Sequence, residues 1–246
     1  MPDRADSLYE HLQEFTTVQT QHFVDNFSGD APDTKRWGFG NQDASTGNTA
    51  TMDDSVNGGI KISCGTSAGY QGMGMAFLDG TATDGSDNNY NATMTKPFRS
   101  GTANMIFTAK FPSHSTNGDT MLGFNSKFTC DNTGGNMATL RVKSGQTNFT
   151  FRTSNSGGTS GDTASTTPVA QDTDWHVYKI SGDVTADPTP SGQAQKLYID
   201  GVLEASRTSA IGYFNETVTP IFSTRNNNST SNGSYFHVGY CEAWNG

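Results

Sequence analysis

Carboxylates are the most numerous ionisable side chains in this chain, and they fall into two patterns. Hydrolysis of a glycosidic bond needs two carboxyl groups across the scissile bond, about 5–5.5 Å apart when configuration is retained. On one strand such groups stand two residues apart, because alternate side chains share a face. The sequence has five glutamates, Glu10, Glu14, Glu204, Glu216 and Glu242, and no Asp or Glu lies two residues from any of the last three. Asp200 and Glu204 flank a turn and do not share one continuous strand. This reading expects no catalytic residue and no enzyme.

The second pattern is a loop. Asp79 to Tyr90 gathers Asp84, Asp87, Asn88 and Asn89 around Gly85, which permits a tight backbone path. Hard oxygen ligands of this kind suit calcium, the one cofactor the loop could hold, with Asp84 and Asp87 as its ligands. There is no EF-hand phrase, and two aspartates without a bidentate glutamate make a weak site. Tyr90 could stack on a sugar ring while Asn88 and Asn89 bond its hydroxyls, so these three are the carbohydrate-binding candidates. The polar tract at 226–232 is a second candidate. For both loops the plain alternative is a solvated turn.

What must position these loops is β-structure. Hydrophobic residues make up only 32% of the chain while aromatics reach 11%, which suits short strands and many polar turns around an aromatic core. Ile60–Cys64, Gln71–Phe77, Ala103–Phe111, Met121–Phe128, Met137–Lys143, Asn148–Arg152, Val218–Thr224 and Ser234–Trp244 read as strands, about twelve in all with the remaining short runs. Ser154–Thr167 reads as loop. Within 172–180, Trp175 and Val177 alternate with His176 and Tyr178, and Trp175 is expected between the sheets. Leu197–Ile199, Asp200-Gly201 and Val202-Leu203 spell a hairpin, because a type I′ turn needs φ > 0 at both central residues.

One helix is expected. Ser7 and Glu10 have the spacing of a capping box, and Leu8, Leu12 and Phe15 follow at helical intervals over residues 7–19. Three turns are marginal alone, so this arm (residues 1–22) must lean on the sandwich (23–246) or on other copies or assembly proteins. The net charge of −9 disfavours nucleic acid. No apolar run is long enough for membrane insertion, and the N-terminus lacks the regions of a secretory signal. Cys64, Cys130 and Cys241 are odd in number and contain no C-x-x-C, so neither zinc nor redox chemistry is expected. They read as three free thiols, or as one disulfide and one thiol.

Two phrases carry a family likeness. Asp-Trp-His at 174–176 followed by Leu-Tyr-Ile-Asp-Gly at 197–201 resembles the concanavalin-like and laminin-G-like jelly rolls. The run Phe23 to Trp37 (F-V-D-N-F-S-G-D-A-P-D-T-K-R-W) resembles the opening of glucanase-like sandwiches, in which a Trp turns back into the core. The resemblance implies an all-β, two-sheet concanavalin-like jelly-roll β-sandwich, here with a short N-terminal α-helix. Many such proteins bind or cleave glycans. The glucanase branch carries Glu-x-Asp-x-x-Glu on one strand, and the alginate-lyase branch an Arg-rich strand with Gln-x-His; neither phrase has a counterpart in this sequence. The expected function is a non-catalytic glycan-binding or adhesive module on a virion or other assembly surface, with a virion or extracellular location. The alternatives are a structural virion decoration or fibre protein, and a divergent polysaccharide hydrolase or lyase.

Overall fold

The computed structural model describes residues 22–31, 33, 36–42, 48–53, 59–65, 70–77, 98, 100–113, 118–126, 136–154, 163–184, 194–207, 213–214, 218–227 and 233–246. The expected helix over 7–19 lies outside these residues, and so do Asp84, Asp87, Asn88, Asn89, Tyr90 and Cys130.

The described residues form sixteen strands and their connections. In chain order these are β1 (His22–Asp25), β2 (Trp37–Gln42), β3 (Thr49–Met52), β4 (Ile60–Ser63), β5 (Tyr70–Phe77), β6 (Gly101–Ser113), β7 (Gly118–Asn125) and β8 (Met137–Lys143). Then come β9 (Asn148–Ser154), β10 (Thr163–Ala170), β11 (His176–Val184), β12 (Gln195–Ile199), β13 (Val202–Arg207), β14 (Tyr213–Phe214), β15 (Thr219–Asn227) and β16 (Tyr235–Asn245). A nine-stranded sheet runs β13-β12-β11-β6-β16-β4-β3, with β1 added to β16 and β14 to β11. A seven-stranded sheet runs β10-β9-β8-β7-β15-β5-β2. Every pairing is antiparallel except β11 with β14.

The period of two decides what lies between the sheets. On β6, Ala103, Met105, Phe107, Ala109 and Phe111 are all buried, while the residues between them are half-buried. Phe107 stacks on Tyr178 of β11 at 5.2 Å between ring centres and meets Phe222 of β15 edge-on at 5.5 Å, which ties the two sheets together. Trp37 is buried as expected and lies 5.7 Å from Phe222. The Asp200-Gly201 turn also forms, with φ of 50° and 84° at its central residues, the left-handed pair that a type I′ hairpin requires.

Two expectations are corrected. Ser154–Thr167 is not all loop: β10 begins at Thr163 and pairs with β9. Its small polar residues and Pro168 hide the strand, and the position explains the composition. β10 is an edge, where proline is tolerated, and the pairing shifts register between Thr166 and Ala170. The second correction concerns face. Trp175 is half-exposed and precedes β11, whereas Tyr178 and Ile180 point into the core. The alternation was right and its phase was reversed.

Candidate functional site

Three clusters of polar and aromatic side chains stand outside the core. The first closes one end of the sandwich. His176 sits at the start of β11, with Phe149 and Tyr178 as ring neighbours. Its Nδ1 is 2.6 Å from Asp200 Oδ2, and its Nε2 is 3.0 Å from Asp172 Oδ1. Asp200 also accepts a hydrogen bond from the Val177 N–H through its other oxygen. Partial burial alone would lower the imidazole pKa, but the bonds to Asp200 and Asp172 and their charges outweigh it and leave His176 raised. Burial pushes Asp200 up, yet the Val177 N–H and His176 outweigh it and hold the carboxyl below its ordinary range. A carboxyl held ionised is a poor general acid. The cluster is a clasp joining the β12–β13 turn to the loop before β11.

The second cluster lies on the face of the seven-stranded sheet turned away from the core. Arg152 on β9, Arg141 on β8, Asp119 on β7 and Arg225 on β15 occupy four adjacent strands there, opposite in phase to the core residues Phe151, Leu140, Leu122 and Phe222. Arg141 grips Asp119 through two N–H donors, Nε at 2.7 Å from Oδ1, and Arg225 Nη2 stands 3.8 Å from Oδ2. Sequence reading sought arginines along one strand and missed a set assembled across four. Asp119, Thr139, Arg141 and Arg225 are all buried, so this is a closed polar layer.

The third cluster is open. On the outer face of the nine-stranded sheet, Tyr235, Tyr240, Glu242 and Trp244 of β16 are half-buried around the buried His237, joined by Lys61 of β4, Lys110 of β6, Lys179 of β11 and Tyr198 of β12. A register shift between Val238 and Tyr240 places Gly239 as an extra residue, which is why inward Phe236 and Val238 are followed by inward Cys241 and Ala243. Trp175 lies over this face, its ring 6.5 Å from that of His237. The lysines sit over rings: Lys61 Nζ is 4.3 Å from the centre of Tyr235, and Lys110 Nζ 5.3 Å from Trp175. Lys179 Nζ lies between Tyr198 at 5.6 Å and Trp244 at 5.8 Å. Burial, then the charge of Lys110, lowers the pKa of His237; Asp53, 3.2 Å away, opposes this, and Lys61 adds to it. Tyr240 donates to Glu242 at 2.7 Å, and His22 contacts the other carboxylate oxygen at 2.8 Å.

Of the residues picked from sequence, the loop set lies outside the described residues, and Asp200 serves the clasp. The open face was missed because its members come from separate strands. The one local signal was Tyr-x-His followed by Tyr-x-Glu-x-Trp in the last strand. Among the described residues no group of three metal-ligating side chains occurs. Cys64 and Cys241 are free and buried, and burial raises both thiols. Gly65-Thr-Ser-Ala-Gly69 has the Gly-x-Ser-x-Gly spelling of a nucleophile elbow. Such an elbow joins a strand to a helix, whereas the described elements on either side are strands β4 and β5 of opposite sheets, and residues 66–69 lie outside the described residues.

No family model matches the sequence, and no curated protein matches it. Solved structures do resemble its fold. The endo-1,3-β-glucanase of Streptomyces sioyaensis is 12% identical with a TM-score of 0.58, covering 92% of this chain and 96% of that one. The carbohydrate recognition domain of Emp47p is 14% identical with a TM-score of 0.56, covering 92% and 95%. A pseudo β-1,3-glucanase and immunostimulatory antigen of Mycobacterium tuberculosis is 13% identical with a TM-score of 0.59, covering 91% and 98%. These likenesses correct the expectation that the chain is not an enzyme. An endo-1,3-β-glucanase and a glycosyl hydrolase family 16 protein share its architecture over 96% and 99% of their lengths, so a missing sequence phrase does not remove hydrolase activity from consideration. The chain has the concanavalin-like jelly-roll fold that these glucanases and this carbohydrate recognition domain share.

Proposed function

We propose that the chain engages carbohydrate through the outer face of its nine-stranded sheet. One observation carries the reading. Trp175, Tyr198, Tyr235, Tyr240 and Trp244 are half-buried on a single face turned away from the core. Large aromatic rings bury well inside a domain, and a set left half-exposed together on one sheet face with a polar surround marks a contact surface. A flat ring offers its π-face to the C–H face of a sugar, while hydroxyls, lysines and carboxylates around it bond the sugar's oxygens. The fold likeness to a carbohydrate recognition domain supports the same ligand class.

Affinity electrophoresis through gels containing a neutral β-glucan or an acidic polysaccharide tests the reading. Retardation in at least one gel, lost in a Tyr198→Ala/Trp244→Ala variant that melts like the parent, is the expected result. Equal mobility of the parent in every gel, or equal retardation of the variant, rejects it. A second reading, glycoside hydrolysis, is favoured by the glucanase likeness. Release of reducing ends from a β-1,3-glucan supports it, and none after prolonged incubation removes it. Display on a virion or other assembly is a separate expectation, which the mass in solution addresses.

A further inference from the structure

The cations on the open face narrow the ligand. All four lysine–ring contacts among the described residues lie on this one face. The chain carries a net charge of −9, so cations gathered on one face stand against the overall balance. Among the described residues, Lys61, Lys110 and Lys179 meet rings and form no ion pair with a carboxylate. The acids on or beside this face have other partners, Asp53 with His237, Glu242 with Tyr240 and His22, and Asp183 with the Thr102 hydroxyl at 2.6 Å, and they keep their charge without pairing with these lysines. A ligand arriving here meets three ammonium groups that hold rings and no carboxylate in an ion pair. A neutral glycan would use the rings and leave these lysines without an ionic partner.

We infer that the outer face of the nine-stranded sheet takes an acidic polysaccharide. Its carboxylate or sulfate groups draw Lys61, Lys110 and Lys179 off the rings they lie over, and its sugar rings then stack on Trp175, Tyr198, Tyr235 and Trp244. Lys179 is placed for both tasks, since one ammonium between Tyr198 and Trp244 can bridge an acidic group to sugars seated on either ring. The inference rests on the carbohydrate reading above and adds to it the charge of the ligand.

The test uses the full chain and four probes: polygalacturonate, dextran sulfate, the neutral β-glucan laminarin, and poly-L-glutamate. Binding is measured at low and at raised salt, with a Lys61→Gln/Lys110→Gln/Lys179→Gln variant whose rings are intact. Either acidic polysaccharide should bind the parent and weaken with salt, and the variant should lose about tenfold or more at low salt. Which of the two binds separates carboxylate from sulfate recognition. Laminarin binding that needs the rings but not the lysines sinks this inference and leaves the carbohydrate reading standing. Poly-L-glutamate binding as tightly as the acidic glycans also sinks it, because charge alone would then suffice. No binding to any probe rejects both readings.

Discussion

Asp25 holds two elements with one carboxylate. Its Oδ1 accepts from the Phe27 N–H and its Oδ2 from the Trp37 indole N–H, each at 2.7 Å, while Phe27 adopts a φ of 47°. This gives the opening phrase of the sandwich a physical basis: an aspartate, a tight turn and a returning tryptophan are one hydrogen-bonded unit. Asp25→Ala leaves both N–H donors without these bonds and should cost about 1–3 kcal/mol in urea unfolding. Asp25→Asn, which keeps one acceptor oxygen, should recover part of that. Unchanged stability in the alanine variant would contradict the unit. His176 makes a second, pH-dependent prediction. Its raised pKa means that its contribution is complete below about pH 6.5 and is lost as pH rises through the folded value. Asp200, lowered, contributes above about pH 3.9 and loses that as pH falls through its own folded value. His237 acts oppositely to His176. Held low by burial and then by Lys110, it favours the fold above about pH 6.5 and penalises it below. In a His176→Asn variant the alkaline decline in melting temperature should therefore flatten. A profile parallel to the parent's would show that the clasp does not titrate.

Among the elements, β11 is held by three others. It pairs with β6 along its length, with β12 over residues 178–181, and receives β14 beside Asp183 and Val184. That last docking depends on Gly182, where an added Cβ would stand 2.6 Å from Phe214 Cε2 and 3.0 Å from Gln195 Cγ. Gly182→Val should displace the buried Phe214 ring and lower stability by about 1–3 kcal/mol, measured by chemical denaturation. An unaffected midpoint would mean that β14 yields without loss. The elements also show what a sequence discloses. Ile60–Cys64, Ala103–Phe111 and the Asp-Gly hairpin were legible because their own residues dictate alternation or positive φ. β10 and β14 were not, since they exist by pairing with strands distant in sequence. Trp175 shows the intermediate case: periodicity revealed the strand beside it, but choosing which phase faces inward needed the partner sheet.

Over the whole molecule, polarity separates in a way that no short stretch reveals. One sheet turns a closed layer of arginines and Asp119 away from the core, and the other turns rings and lysines to solvent. Neither set is a motif, because each is gathered across strands by register. The fold was therefore readable from two phrases, while the open face was not. The extra residue in β16 shows how closely that face depends on register. Ahead of Gly239 the strand sends Phe236 and Val238 inward; beyond it Cys241 and Ala243 take their place, with Tyr240, Glu242 and Trp244 outward. Pairing that single position with β6 as an ordinary ladder residue would put the second half of the strand out of step. Glutamate and tryptophan would be driven toward the space now filled by a thiol and a methyl group, and the lysine on β11 would lose its second ring. Homologous chains that kept this surface would thus accept loss of the extra residue, which leaves plain alternation, but not one residue added between Tyr240 and Trp244.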